Sequence, residues 1–304
     1  MRKKVLILGV TGMLGHVLFK ELSRIDTYEV YGTTRSMSGL NKFFTLNELS
    51  RIRPTVDADN FDTVIRAFAA LQPDIVINCI GLIKQLAMAE DPLTAITVNA
   101  QLPHRLSMLT RNANARLIHI STDCIFDGKK GNYEENDDSN AKDLYGRTKF
   151  LGEVTYPHCV TLRTSIIGHE LKNNVSLVDW FLNETKAVRG FTKALYTGFS
   201  TLEMAKIISK YVIPNDEING LYQVSSEVIS KHDLIKLIAE KYNKKIDITP
   251  YEDFVLDRTL KSENFRNQTG YAPPSWDKIV EQMYEHFMTE NCYADKKQQF
   301  LSKS

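Results

Sequence analysis

A tyrosine and a lysine four positions apart are the residues of this sequence with the clearest chemistry. Tyr145 and Lys149 bound a Tyr-x-x-x-Lys segment, a spacing that places both side chains on one face of a helix. An ammonium group beside a phenol favours the phenolate, so we expect Lys149 to lower the pKa of Tyr145 from its free value of about 10. Such a phenol can donate and accept a proton near neutral pH. Combined with a nicotinamide, the pair predicts reversible reduction of a carbonyl.

A glycine-rich turn near the start of the chain is a candidate site for that dinucleotide. Gly9, Gly12 and Gly15 form a GxxGxxG pattern between the apolar run at 5–8 and a helical repeat of apolar residues. Glycine lets the backbone approach a pyrophosphate, and a helix N-terminus attracts its negative charge. The spacing differs from GxGxxG, and an ordinary tight turn is the alternative. The strand before the turn and the helix after it favour dinucleotide binding.

The end of the second predicted strand indicates which dinucleotide is bound. An NAD site usually carries Asp or Glu there to bind the ribose 2′-hydroxyl. This chain has Thr34, Arg35 and Ser36 instead. Arg35 could pair with a 2′-phosphate through a charge-assisted contact, which favours NADPH and leaves NADH open. A solvated surface arginine is the alternative.

Other strand ends supply the remaining cofactor candidates. Asp57 and Ala58 could border the adenine, although Asp57 could equally cap the helix that follows. A small-residue turn at 79–81 would let the backbone run along the nicotinamide ribose, with its cysteine packed rather than reactive. Asn99 lies inside a predicted helix, where it either makes a polar contact beneath the site or is exposed. The predicted cofactor-binding residues are Gly9, Thr11, Gly12, Met13, Leu14, Gly15, Thr34, Arg35, Ser36, Asp57, Ala58, Cys79, Ile80, Gly81, Asn99, Ser121, Tyr145, Lys149 and Thr164.

Apolar runs and helical repeats alternate along the first half of the chain. This alternation predicts an α/β fold with a doubly wound, Rossmann-like parallel sheet. The predicted elements are strands at 5–8, 29–34, 74–78, 117–121 and 160–163, and helices at 61–71, 92–112 and 145–154. Ligands of such sheets bind beyond the carboxyl ends of the strands, where the candidate residues lie.

The periodicity divides the chain into a first domain and a looser second half. We expect residues 1–165 to form a dinucleotide-binding domain that carries the catalytic residues. Residues 166–288 are expected to form mainly a smaller C-terminal α/β substrate region, whose chain could cross back to the first domain. Its predicted elements are helices at 177–182, 202–212, 231–242 and 276–287 and strands at 221–224 and 246–249. The polar tail, 289–304, is expected to be frayed.

Three motifs in order give the sequence a family resemblance. The GxxGxxG turn, the Ser-Thr-Asp triplet at 121–123 and the Tyr-x-x-x-Lys segment match the extended short-chain dehydrogenase/reductases in order and spacing. Within that family, the chain resembles the dTDP-4-dehydrorhamnose reductase branch through the stretches 121–128, 145–153 and 162–165. The resemblance covers almost the whole chain and loosens after residue 170.

The resemblance implies a role for each catalytic candidate. Tyr145 would protonate the substrate oxygen as a general acid while hydride from the nicotinamide reaches the ketone carbon. Lys149 would lower the pKa of Tyr145 and hold the nicotinamide ribose, and Thr122 would donate a hydrogen bond to the developing oxyanion. Ser121 could contact the cofactor. The alternatives are a surface pair for the tyrosine and lysine and a strand-end cap for the threonine.

One departure from the rhamnose-pathway reductases favours a particular side branch. Those reductases usually carry an aromatic residue just after Arg-Thr-Ser, where this chain has Ile166, Ile167 and Gly168. The chain is similar to a branch assigned to UDP-4-keto-6-deoxy-N-acetylhexosamines, as in UDP-N-acetylquinovosamine synthesis. The leading prediction is NADPH-dependent reduction of the C4 ketone of UDP-4-keto-6-deoxy-N-acetylglucosamine. The alternatives are a dTDP-4-dehydrorhamnose reductase, a nucleotide-sugar epimerase and a non-catalytic dinucleotide-binding regulatory subunit.

Basic side chains are the main candidates for the substrate diphosphate. Arg258 could bind it bidentately, and Lys84 could meet either the diphosphate or an acyl group. A lone histidine such as His169 is more often structural than catalytic. The predicted substrate-binding residues are Lys84, Thr122, Asp123, Asn174 and Arg258.

Composition limits the classes of partner. The 304 residues are 43% hydrophobic, enough for a substantial core, and 38 basic side chains nearly balance 37 acidic ones. We therefore expect a nucleotide-sugar partner, no nucleic acid and no membrane, and leave a homodimer open. No group of residues has metal-ligand spacing. Four cysteines without a CxxC pair indicate reduced thiols in a cytoplasmic enzyme.

Overall fold

A parallel sheet with helices on both faces forms the centre of this protein, whose computed structural model describes residues 2–82 and 91–302. The strands are β1 (Lys3–Leu8), β2 (Tyr28–Thr33), β3 (Ile52–Arg53), β4 (Ile75–Asn78), β5 (Arg116–Thr122), β6 (Cys159–Thr164), β7 (Ile166–Ile167), β8 (Val188–Phe191), β9 (Ala194–Tyr196), β10 (Phe199–Ser200), β11 (Gly220–Gln223), β12 (Ile229–Ser230), β13 (Ile248–Tyr251) and β14 (Leu256–Asp257). In the described residues, seven of them form the main sheet in the order β11-β6-β5-β4-β1-β2-β3. The predicted Rossmann-like α/β fold is confirmed.

Helices cover both faces of this sheet. They are α1 (Met13–Ser23), α2 (Leu46–Ser50), α3 (Phe61–Leu71), α4 (Pro92–Ala95), α5 (Leu102–Asn112), α6 (Leu144–Leu151), α7 (Leu177–Asn183), α8 (Thr201–Ile207), α9 (Lys231–Lys241), α10 (Glu263–Thr269), α11 (Trp276–Thr289) and α12 (Ala294–Leu301). Short π-helical segments, Ile96–Gln101 and Ile208–Val212, continue α4 into α5 and extend α8. The helix predicted at 92–112 therefore exists, with one widened turn in it.

The central strands β1 and β4 have largely apolar, buried interiors because the sheet is covered on both faces. Val5 and Ile7 of β1 belong to one hydrophobic cluster, which includes side chains of α1, α8 and α11. Leu6 and Leu8 alternate with them and belong to a second cluster with α3 and α5. This alternation follows from the two-residue period of a strand.

The order of strands opens a crevice at the carboxyl edge. β1 pairs with both β4 and β2, so the chain winds outward from β1 in opposite directions. Ligands of open α/β sheets bind at such a switch point. The glycine turn follows β1, Arg35 follows β2, and Cys79 follows β4, all at this edge.

The second half of the chain contributes one strand to the main sheet and several short ones outside it. β11 returns to pair with β6, and β9 joins β12 and β14 in a separate three-stranded sheet. Most of these strands have two to four residues, too few to show a two-residue period in the sequence. That is why β7, β8, β9, β10, β12 and β14 were not predicted.

The expectation of a frayed tail is wrong. A 3₁₀ turn, Asn291–Tyr293, leads into α12, and the Tyr293 side chain is 2% exposed. The hydroxyl of Tyr293 lies 2.7 Å from Nε2 of His16 on α1. Lys296 of α12 donates to the carboxylate of Asp179 at 2.5 Å. Buried aromatic and charged contacts thus hold the end of the chain against both halves.

Burial of His16 makes the stability of the fold sensitive to acid. Its ring is fully buried, and desolvation lowers the pKa from 6.5 to about 3. The unfolded chain therefore takes up a proton on His16 that the folded chain does not, so stability is lost progressively as pH falls below 6.5. We expect His16→Gln to flatten the loss of unfolding free energy between about pH 7.5 and about pH 5, measured by urea denaturation.

The matched control for this prediction is His104→Gln, since His104 lies at the surface beside the Leu151 carbonyl. That variant should keep the wild-type slope. An unchanged slope in His16→Gln would show that other groups dominate the acid response.

Candidate active site

The helix that carries Tyr145 and Lys149 is fixed to the end of β5. Asp143 caps α6 by accepting from the Gly146 amide at 2.9 Å. Lys149, which is 5% exposed, donates from Nζ to the Ile120 carbonyl at 2.7 Å. Burial lowers the pKa of Lys149 to about 8. The two predicted residues are therefore not a surface pair.

Thr122 joins the tyrosine to an acidic neighbour. A side-chain hydrogen bond connects Thr122 and Tyr145, and the threonine hydroxyl also donates to Asp123 Oδ1 at 3.2 Å. The same hydroxyl accepts from the Cys124 amide at 3.1 Å, so the residue is a strand-end cap as well. Asp123, Thr122 and Tyr145 thus form a continuous polar row at the carboxyl end of β5.

The predicted effect of Lys149 on the tyrosine is wrong. Burial raises the pKa of Tyr145 above its usual value, and the nearby Cys124 and Asp123 add to this rise. The ammonium of Lys149 is directed at the Ile120 carbonyl instead. The phenol is consequently held in its protonated form, which is the form that a general acid needs.

Asn99 makes the polar contact predicted beneath the site. It is 1% exposed, and its Oδ1 accepts from the Leu82 amide at 2.9 Å. Its Nδ2 donates to the Leu82 carbonyl and to Thr148 Oγ1, each at 3.3 Å. One amide side chain therefore ties the loop after β4 to α6. Gly152, at the end of α6, packs so closely that a Cβ there would lie 2.0 Å from the Asn99 carbonyl oxygen.

The turn after β1 brings the start of α1 close to the end of the strand. A Cβ on Gly15 would lie 2.2 Å from the Gly9 carbonyl oxygen, so only glycine lets α1 start this close to the turn. Gly12 is the N-cap of α1 and supplies no side-chain cap, which leaves the first amides of the helix for another acceptor. Thr11, Met13 and Leu14 belong to the same turn and first helical residues. These residues fit the phosphates of a dinucleotide.

The end of β2 exposes the predicted arginine. Arg35 is exposed, while Thr34 is buried and its hydroxyl donates to the Ser36 carbonyl at 3.0 Å. Burial raises the pKa of the Asp59 carboxyl, and Arg35 offsets part of this rise. Arg35 is thus an exposed cation at the carboxyl edge of the sheet, near enough to Asp59 to act on its charge.

Asp57 does not cap the helix that follows. Its carboxylate accepts from the Asp59 amide at 3.2 Å, and α3 begins after Asn60. Ala58 is buried beside it, 7% exposed. These contacts exclude the capping alternative, and the adenine border stays a prediction.

The turn after β4 lies close to α6, the helix that carries Tyr145 and Lys149. The Ile80 amide donates to Asn78 Oδ1 at 3.1 Å. A Cβ on Gly81 would lie 3.9 Å from Lys149 Nζ, which shows how near this backbone comes to the lysine. Burial raises the pKa of the Cys79 thiol to about 12, so this cysteine is a packed thiol, as predicted.

Ser121 and Thr164 lie beneath the site with their hydroxyls already bonded. Ser121 Oγ donates to Glu153 at 2.6 Å, and Glu153 also accepts two hydrogen bonds from Arg163. Thr164 is 3% exposed and its hydroxyl donates to the Ser165 carbonyl at 3.3 Å. Through Glu153, Ser121 of β5 is thus connected to Arg163 of β6 below the polar row of Asp123, Thr122 and Tyr145.

Two cations from the second half of the chain lie near Asp123, at one end of the polar row. Burial raises the pKa of Asp123, while Arg258 and Lys231 offset part of the rise. Arg258 donates from Nε to the Phe126 carbonyl at 2.8 Å and from Nη1 to Cys124 Sγ at 3.4 Å. The structure thus brings the predicted Arg258 to Asp123. Sequence reasoning missed Lys231, because only the start of α9 after β12 places it there.

The other predicted substrate residues have different positions. Asn174 accepts from Lys296 of α12 at 2.8 Å and so contacts the C-terminal helix. Lys84 lies outside the described residues. His169 is structural, with its ring nitrogens 2.6 Å from Asp179 and 2.8 Å from the Tyr242 hydroxyl.

A group of possible metal ligands exists away from the predicted site residues. In residues 2–82 and 91–302, the ligand atoms of Glu21, His286 and Glu290 lie within 4.8 Å of one another. Arg24 already pairs with both carboxylates. We assign no metal to this group.

Comparison with known proteins gives the family of the chain. Residues 2–289 match the family model described as the RmlD substrate binding domain. The chain belongs to this family. It is 25% identical over 234 residues to dTDP-4-dehydrorhamnose reductase of Aggregatibacter actinomycetemcomitans, a match that covers 74% of each chain.

Two further similarities bear on the fold and on the alternatives. The chain superposes on dTDP-4-dehydrorhamnose reductase of Bacillus anthracis str. Ames in complex with NADP with a TM-score of 0.76 and 21% identity, over 94% of this chain and 99% of the other. It is also 31% identical over 178 residues to methionine adenosyltransferase 2 subunit beta of Danio rerio. That match spans 56% of this chain and 50% of the relative.

Within the described part of the chain, the helices are all too short or too polar to span a bilayer.

Proposed function

We propose that this protein is an NADPH-dependent reductase of the C4 ketone of a nucleotide-linked 4-keto-6-deoxy sugar. The observation that carries the proposal is the hydrogen-bonded pair of Thr122 and Tyr145 at the carboxyl end of β5, with Lys149 buried one turn away. This arrangement agrees with the resemblance of the sequence to the extended short-chain dehydrogenase/reductases. The family of the chain and its reductase relative agree with that chemistry.

The chain's own residues account for the proton transfer. Tyr145 holds its proton because burial raises its pKa, and it can give that proton to an oxygen that gains negative charge. Thr122 would supply a second donor toward the same oxygen by turning its hydroxyl away from Asp123, to which it donates in this structure. Lys149 and Asn99 position α6 and the loop after β4, and a side-chain hydrogen bond keeps the hydroxyls of Tyr145 and Thr122 together. The bound nicotinamide supplies the hydride to the ketone carbon.

The residues around the crevice fit a phosphorylated dinucleotide. The uncapped start of α1 would hold the pyrophosphate, and Lys149 would reach the nicotinamide ribose. Arg35 is exposed at the end of β2 without an adjoining acidic residue in the sequence, which favours the 2′-phosphate of NADPH. Residues 1–165 would therefore hold the cofactor and 166–288 would mainly cover the substrate.

The finer substrate assignment is UDP-4-keto-6-deoxy-N-acetylglucosamine, which would yield UDP-N-acetylquinovosamine. Ile166 of β7 stands where the rhamnose-pathway reductases usually carry an aromatic side chain, and it is half-buried. A smaller side chain leaves more room beside the sugar. Arg258, at the Asp123 end of the row, would pair with the diphosphate.

One alternative is a non-catalytic regulatory subunit. The match to methionine adenosyltransferase 2 subunit beta, which covers 50% of that relative, is the observation that favours it. The intact Thr122, Tyr145 and Lys149 weigh against it.

A nucleotide-sugar epimerase would keep its dinucleotide tightly bound and would need no added reductant. Purified protein that oxidises NADPH only with a keto sugar would exclude both alternatives.

The assay for the proposal offers purified protein UDP- and dTDP-linked 4-keto-6-deoxy sugars with NADPH. We expect NADPH oxidation that depends on the sugar, fastest with the UDP-linked N-acetyl sugar. NMR of the product gives the configuration at C4. Absence of oxidation with every sugar would overturn the reductase proposal, and faster turnover of the dTDP sugar would overturn only the substrate.

Removal of the Tyr145 hydroxyl should separate chemistry from cofactor binding. We expect Tyr145→Phe to bind NADPH like the wild type but to lower kcat by at least about 100-fold, the usual scale for loss of a general acid. Fluorescence titration measures the first quantity and the sugar-dependent assay the second. Tyr156→Phe is the control, because Tyr156 is 45% exposed and outside the site. Near-normal turnover in Tyr145→Phe would remove this residue from the mechanism.

Removal of the Arg35 charge should change the choice of cofactor. We expect Arg35→Ala to weaken NADPH binding by about 10-fold or more while NADH binding stays within about twofold, since charge-assisted hydrogen bonds contribute about 1.5–3 kcal/mol. Dissociation constants for both cofactors check this. Arg111→Ala, on the exposed end of α5, should change neither. Equal losses for NADPH and NADH would contradict the assignment.

A further inference from the structure

Lys231 is a cation from the second half of the chain that lies near the polar row of Asp123, Thr122 and Tyr145. It is the first residue of α9, and Ser230 caps that helix by accepting from the Asp233 amide at 3.0 Å. Its ammonium lies 3.6 Å from the centroid of the Tyr196 ring. Asp123 and Cys124 are the charged or ionisable groups that act on it electrostatically. Lys231 therefore lies near the two residues that follow Thr122.

The Lys231 ammonium has N–H groups that remain available to a ligand. It carries three N–H groups, and in residues 2–82 and 91–302 its contacts are the Tyr196 ring and the charges of its neighbours rather than a hydrogen-bond acceptor. Burial lowers its pKa to about 8, which leaves it charged at neutral pH. A partly buried cation without an acceptor is costly unless a ligand or water accepts from it.

Arg258 is a less suitable donor for the reacting end of a substrate. Its Nε and Nη1 are already bonded to the Phe126 carbonyl and to Cys124 Sγ. Asp123, in contrast, receives the Thr122 hydroxyl on Oδ1 and, as a carboxylate, has further lone pairs to offer. Lys231 as donor and Asp123 as acceptor make a matched pair for a hydroxyl, which both accepts and donates.

We propose that Lys231 and Asp123 together bind the hydroxyl on the carbon next to the substrate ketone, and that Lys231 is a specificity-determining residue. The inference rests on the proposed function. In a 4-keto-6-deoxy sugar that hydroxyl is on C3, because the other neighbour, C5, carries the methyl group. Asp123 directly follows Thr122, so a ketone oxygen at Thr122 and Tyr145 places its neighbouring hydroxyl toward Asp123 and Lys231. The contact is independent of the nucleotide.

The test compares Lys231→Met with wild type on a UDP-linked 4-keto-6-deoxy sugar and on its 3-deoxy analogue. We expect Lys231→Met to lower kcat/KM for the 3-hydroxy sugar by about 10- to 100-fold, the range for a hydrogen bond to a charged group. The loss for the 3-deoxy sugar should be within about threefold, because the partner of Lys231 is absent. NADPH affinity should not change. Lys236→Met, an exposed lysine on the same helix, is the control.

Equal losses for the two sugars, or a parallel loss of NADPH affinity, would overturn the proposal, since both indicate a general structural role. Should Lys231→Met fail to fold, the wild type alone decides. Its kcat/KM for the 3-hydroxy sugar must exceed that for the 3-deoxy sugar by at least about 10-fold. Equal values of kcat/KM would refute the contact.

Binding measurements separate this inference from the reductase proposal. UDP-N-acetylglucosamine, which has no ketone and cannot be reduced, is titrated into the NADP⁺-loaded wild type and into Lys231→Met. If the wild type reduces no keto sugar yet binds this probe at least about 10-fold more tightly than Lys231→Met, the reductase proposal fails and the hydroxyl contact stands. If both proteins bind it equally, the contact fails whatever the assay shows.

Discussion

The contact between the Lys149 ammonium and the Ile120 carbonyl is the interaction on which the site depends. It fixes α6 against the end of β5, and the helical spacing then places Tyr145 beside Thr122. A buried ammonium without a hydrogen bond would be costly in free energy. Any shift of α6 that broke this contact is therefore unfavourable. Asn99 adds a second tie from the loop after β4 to the same helix.

Burial changes the proton affinities of the site in a direction that suits a carbonyl reductase. The pKa of Tyr145 is raised and that of Lys149 is lowered to about 8, because desolvation disfavours both charged forms. The phenol is kept protonated and the lysine stays largely charged at neutral pH. The tyrosine is therefore ready to donate rather than to accept, and its pairing with Thr122 directs that proton to one place.

The two halves of the chain contribute different chemistry. The first half supplies the turn after β1, the hydroxyl pair and the buried lysine, all at the carboxyl edge of one parallel sheet. The second half supplies Arg258 and Lys231, which approach Asp123 from a separate small sheet and the helix that follows it. The contact between Tyr293 and His16 holds the turn before the tail helix against α1. Elements from the two halves of the chain thus meet near residues 122–124.

By itself, the sequence determined the sheet-and-helix order, and it predicted the dinucleotide turn and the catalytic roles of Thr122, Tyr145 and Lys149. These features depend on local spacing: a two-residue or helical period, glycines at set positions, and a tyrosine and lysine one turn apart. Only the tertiary structure decided the environment of those groups. It showed that burial, rather than Lys149, sets the pKa of Tyr145, and it brought Lys231 to Asp123 across more than a hundred residues of chain. Desolvation and long-range charge pairing depend on what surrounds a side chain, and no local pattern encodes that.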